Sequence, residues 1–126
     1  LLLGDNADKD VAVYRQIGLR YSQVITFIHK VYPDSIDSHQ NIYLTGADLA
    51  VSLEEQGLLS SENTKSVLEK IEGDINSGDA FIQDMVWSWW AMTTVDDVEQ
   101  AFSATSQDEQ NQMLLLKIKQ EVFSLN

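Results

Sequence analysis

Apolar side chains fall in a helical rhythm over the first quarter of the chain. Tyr14, Ile17, Tyr21, Val24, Ile28 and Val31 recur at alternating steps of three and four, the spacing that lines one face of a helix. Arg15, Arg20 and Lys30 lie off that stripe, and Leu19, Ile25 and Phe27 widen it. The pattern predicts one long helix opening after the Asn6–Asp10 cluster, where acids suit the positive end of a helix. It stops near Tyr32, because Pro33 disfavours helical geometry in the residue before it. Residues 33–44 read as a polar loop ending in Ile42-Tyr43-Leu44, an extended run with no evident partner strand.

The remaining elements are marked mainly by their ends. Thr45 with Asp48 three residues on forms a capping box of the weaker kind, and Leu44 and Leu49 stand where a hydrophobic staple would close it. Gly57 takes the left-handed stop position with Leu58 able to fold back on Leu53, so a second helix spans about Gly46–Gln56. A third starts at Ser60 or Ser61 and turns Val67, Leu68, Ile71 and Ile75 inward. A fourth follows from about Asp79, apolar at Phe81, Ile82, Met85, Val86, Trp89, Trp90 and Met92. A helix so apolar is expected at the centre of a bundle. Thr94 and Asp97 cap a fifth helix that packs Val95, Val98, Ala101 and Phe102. Ser106 and Glu109 cap a sixth with the stripe Leu115, Ile118, Val122 and Leu125, and Leu114 beside it. The expected fold is all-α: residues 1–126 as a single acidic domain, an irregular bundle of about six helices around a central Trp-rich helix.

Charge changes the picture more than composition does. Eight basic residues face 20 acids, for a net charge of −12. The excess lies between residues 34 and 109, where Lys65 and Lys70 are the only bases. Such a field repels nucleic acid and anionic membranes and attracts basic partners, although acidity also serves plain solubility. No cysteine is present, which removes disulfides, thiolate nucleophiles and thiolate metal sites. A cysteine-free chain fits the cytoplasm, our expectation here, and equally a simple periplasmic or secreted domain. No stretch reaches the ~20 apolar residues that span a bilayer. Leu1-Leu2-Leu3-Gly4 reads as an apolar stretch that fits the remnant of a processed leader, an artificial start or a length of ordered tail.

His29 and His39 are ten residues apart, without the spacing to carboxylates that a metal needs, and His29 reads as sitting on a solvated helix edge. Asp34/Asp37, Glu69/Glu72 and Asp96/Asp97/Glu99 read as helix and loop caps. Asp84 is of more interest because it interrupts the most apolar helix. The run from Asp74 begins like a calcium loop but places glycine at the fifth position and Met85 at the twelfth; Asp5–Asp10 puts Lys9 at a ligand position. No phosphate-cradling glycine loop or nucleophile elbow appears. No cofactor and no metal are therefore expected, and a non-enzymatic role is favoured over catalysis.

The remaining clue is Trp87, displaced to the polar side of its helix beside Asp84 and Ser88. Exposed tryptophans are enriched at binding hot spots. Trp87, Asp84, Asp96 and Asp97 are the candidate binding residues for a basic protein surface, by analogy with immunity proteins and antitoxins of bacterial type. The alternatives are a small-molecule cavity lined by Trp87, Trp89, Trp90, Met85, Tyr14 and Tyr21, or a helical homodimer.

Overall fold

The computed structural model describes residues 1–5, 9–30, 41–77 and 94–123, and it corrects the all-α expectation. Within those residues the chain builds three strands and five helices: β1 (Leu2–Asp5), α1 (Asp10–Arg20), β2 (Thr26–His29), β3 (Asn41–Tyr43), α2 (Gly46–Glu55), α3 (Ser61–Ser77), α4 (Val95–Ala101) and α5 (Glu109–Phe123). The strands form one parallel sheet in the order β1-β2-β3. This is a mixed α/β arrangement rather than a six-helix bundle.

The long first helix of the sequence reading is two elements. Helix α1 ends at Arg20, and none of its residues is buried. Tyr21, Ser22 and Gln23 lie exposed, and the chain then extends. Thr26, Phe27 and Ile28 are all buried, as befits a strand with neighbours on both sides. Val24, Ile25, Thr26 and Ile28 are β-branched and prefer that geometry. The strand also supplies the missing partner for Ile42-Tyr43, since Ile28 pairs with Ile42 and His29 with Tyr43. On its other side, β1 runs parallel from Leu2↔Thr26 to Asp5↔His29, so the apolar tail is a sheet strand. β1, α1 and β2 thus make a βαβ unit, the minimal parallel crossover.

The expected helix ends at Thr45, Gly57 and Thr94 are present. Thr45 and Asp48 cap α2 reciprocally. At its other end Gly57 has φ +77°, the Leu58 N–H bonds the Leu53 carbonyl at 2.8 Å and the Gly57 N–H that of Glu54 at 2.9 Å, a complete Schellman stop. Thr94 and Asp97 likewise form a capping box on α4. The cap of α5 differs: the Asn111 N–H donates to Asp108 Oδ1 at 3.0 Å, which makes Asp108 the cap, while Ser106 Oγ donates to the Glu54 carboxylate at 2.9 Å. Ile42 and Leu44 join Ala47 and Val51 of α2, Leu68 of α3, Val98, Ala101 and Phe102, and Leu115, Ile118 and Val122 of α5 in one core. Val95, expected inward, is 55% exposed. The expected Trp-rich helix, with Asp84 and Trp87, lies outside the described residues, as do His39 and Leu125.

Candidate functional site at the carboxyl ends of the strands

In open parallel sheets the polar ends of the strands, rather than their buried middles, are where ligands are received. Here the three strands finish in register on ionisable residues: Asp5 pairs with His29, and His29 with Tyr43. Registered residues project to the same face, so these three side chains form a row, each half-buried.

Each member of the row is held by a specific neighbour. The His29 and Tyr43 rings stack with centroids 4.8 Å apart and planes 10° from parallel. His29 Nε2 lies 3.0 Å from the Leu44 carbonyl, which can only accept, so Nε2 carries the proton. Burial pulls the His29 pKa below its usual value, against the raising effects of the Leu44 bond and the Asp5 charge. Burial, with Asp48, Asp5 and Tyr14 nearby, lifts the Tyr43 phenol above its usual value. At neutral pH the row therefore offers an uncharged imidazole and an intact phenol.

Helix α1 seals the outer edge of β1. The Leu2 N–H bonds Ile25 in the β2 chain at 2.9 Å, so Leu3 and Asp5 turn their backbone groups outward. The Tyr14 hydroxyl donates to the Leu3 carbonyl at 3.0 Å, and Asp10 Oδ2 accepts the Asp5 N–H at 3.2 Å. These two side chains occupy groups that would otherwise invite another strand. They can do so because Gly4 lacks a side chain: a Cβ there would lie 2.6 Å from Asp10 Oδ2 and 2.8 Å from Tyr14 Cε2.

Two further carboxylates hold the inner side. Lys30 follows His29 in sequence, donates its backbone N–H to the Tyr43 carbonyl at 3.1 Å, and pairs its ammonium with Asp97 Oδ1. Asp97 also accepts the Thr94 N–H at 3.0 Å. Desolvation would raise the Asp97 pKa, but the bonds from Lys30 and Thr94 outweigh it and hold the carboxyl below its ordinary value. Asp48 is 1% exposed and accepts from Leu44 N at 2.9 Å, Thr45 N at 2.7 Å and Thr45 Oγ1 at 2.6 Å. Burial nevertheless raises its pKa to about 7.

Of the four residues selected from sequence, two can be placed. Asp96 is exposed in the first turn of α4, whereas the Asp97 carboxylate is committed to Lys30 and the helix cap. Neither belongs to the row Asp5, His29 and Tyr43, whose members the sequence alone places at the head of a failed calcium loop, on a solvated helix edge and in an extended run without a partner. Among the described residues no group of three histidines, aspartates or glutamates is arranged to hold a metal ion, and no helix is long and apolar enough to cross a membrane. Comparison with protein-family models, curated proteins and solved structures gives no match to this chain.

Proposed function

We propose that this chain binds a small, polar, donor-rich ligand at the carboxyl edge of its parallel sheet, the cationic end of the ligand facing Asp5. The observation that carries the reading is the registered row Asp5–His29–Tyr43, half-exposed where three parallel strands end. A carboxylate, a neutral imidazole and a phenol supply more acceptors than donors, which suits ammonium and hydroxyl groups. The test is a titration of the 15N-labelled chain with propylamine, followed by NMR. Shifts confined to Asp5, His29 and Tyr43, and lost in Asp5→Asn, are expected; an undisturbed row overturns the reading. The same shifts with magnesium chloride alone would assign the row to an ion and remove the organic ligand.

A second reading, docking of a basic protein, is supported by exposed carboxylates at Glu62, Glu69, Asp96, Glu99, Glu109 and Glu121 on three helices. It requires an on-rate that falls steeply with salt. A cationic partner that associates equally fast in dilute and concentrated salt would remove it.

A further inference from the structure

We propose that α1 of one copy docks on α5 of the next, joining copies of this chain head to tail. The contact lies apart from the carboxyl edge of the sheet and stands without a ligand there.

Both helices present apolar side chains to solvent in line. No residue of α1 is buried. Tyr14 reaches the Leu3 carbonyl from one side of it, while Val13, Gln16, Leu19 and Arg20 lie exposed. An open cleft runs along that exposed face, lined by Val13, Gln16, Ile17, Leu19 and Arg20. Helix α5 buries Asn111, Leu115, Ile118 and Val122, and turns Glu109, Met113, Leu116 and Gln120 outward. Leu19 and Met113 are 76% and 71% exposed, the most open of the large apolar side chains.

Charge selects which faces meet. In a chain of net charge −12, residues 11–32 hold Arg15, Arg20 and Lys30 and no acid. Two α1 faces would bring like charges together, and so would two α5 faces; α1 on α5 brings opposite ones. Arg20 stands in the last turn of α1 and Glu109 in the first turn of α5. Both are exposed, and among the described residues neither has an ion-pair partner. The cation on the flank of α5, Lys117, is occupied by Glu72 at 2.8 Å.

The spacing along the two axes agrees. From Arg20 back to Gln16 and Val13 the steps are four and three residues, and from Glu109 on to Met113 and Leu116 they are the same. Laid antiparallel, Arg20 therefore comes opposite Glu109, Gln16 opposite Met113 and Val13 opposite Leu116, with Leu19 beside Met113. That direction also joins oppositely charged helix ends. Because the two faces differ, each docked copy keeps one face free, and the contact grows into chains or closes into rings.

Sedimentation equilibrium of the full chain in dilute buffer should give an average mass that rises with protein concentration. Leu19→Asp and Met113→Asp alter exposed positions, and each alone should weaken association about tenfold, the worth of one apolar side chain. Mixed in equal amounts, the two variants should pair and grow no further, because each supplies the face the other lacks. Recovery in the mixture also shows that both variants fold. Arg20→Glu should weaken association about threefold, and Glu109→Arg added to the same chain should restore it. A native chain that keeps its monomer mass at every concentration overturns the proposal. So does a mixture that stays monomeric. Native-like association of Met113→Asp would place α1 against α1 and overturn it as well.

Discussion

His29 and Asp48 grip opposite sides of the same residue: His29 Nε2 donates to the Leu44 carbonyl at 3.0 Å, while Asp48 Oδ2 accepts the Leu44 N–H at 2.9 Å. Leu44 is where β3 hands the chain to α2, and its side chain is fully buried in the core. Both partners of that hinge change charge at pH values displaced by burial, His29 downward and Asp48 upward. The capping chemistry of α2 and the ligand-facing chemistry of the sheet thus meet at one peptide.

The stability of the fold should consequently fall as pH rises through the range in which Asp48 is still protonated when folded. Its carboxyl ordinarily ionises near 3.8, and in the fold at about 7. Between those values the unfolded chain has lost the proton and the folded one keeps it, so the slope of unfolding free energy with pH is negative. Between pH 4 and pH 7 the effect is worth on the order of 3–4 kcal/mol, at about 1.4 kcal/mol for each tenfold change. Denaturant unfolding of the native chain and of Asp48→Asn at pH 4 and pH 7 isolates the effect from the other carboxylates. The difference between the two proteins should change by that amount; a constant difference would mean that Asp48 is ionised throughout.

Lys30→Met should cost about 2–3 kcal/mol, between the values for exposed and fully buried ion pairs. The two side chains of the Lys30–Asp97 pair are 15% and 10% exposed, so the carboxylate left behind is poorly solvated. The Asp97 carboxyl is held low in the folded chain, so its contribution is present above the unfolded pKa of 3.8 and is lost as pH falls through the lower folded value. In Lys30→Met that loss should begin at higher pH, which urea unfolding between pH 2 and pH 6 would reveal.

What the sequence revealed and what it concealed divide along one physical line. The caps at Thr45/Asp48, Gly57 and Thr94/Asp97 were legible because each is settled within four or five residues. The sheet was not, because a parallel strand buried on both faces shows no alternation. The Tyr21, Val24, Ile28 spacing coincides with a helical one, and the partners of β2 stand about 14 and 24 residues away. The row Asp5–His29–Tyr43 exists only once that pairing is known. Two signals were nonetheless present: the polar break at Ser22-Gln23 and the β-branched run that follows it. Asp97 carries the charge a basic partner would seek, yet its place three residues after Thr94 implies a carboxylate engaged in capping.

Gly57→Ala should destabilise the chain by about 1 kcal/mol through the backbone alone, since a left-handed φ of +77° disfavours any side chain and open space surrounds the site. Gly57→Asn, which tolerates that conformation better, should recover part of the loss. Thermal unfolding of the three proteins is sufficient; equal midpoints for alanine and glycine would show that the turn relaxes out of its left-handed form.

Gly4→Ala tests the close approach that seals β1 and positions Asp5. A methyl group at residue 4 would stand 2.6 Å from Asp10 Oδ2, 2.8 Å from Tyr14 Cε2 and 3.0 Å from Asp10 Cβ, so the Asp10 and Tyr14 side chains must move aside or α1 must lift from the strand. Either shift disturbs the Asp10 bond to the Asp5 N–H and the Tyr14 bond to the Leu3 carbonyl. The expected cost is about 1–3 kcal/mol, the range for an overfilled contact. The backbone amide of Asp5 should also exchange with solvent faster. Because Asp10 contributes the nearest atom, Gly4→Ala should cost less in an Asp10→Ala background. Strictly additive costs would place the crowding elsewhere and detach α1 from the geometry of the row.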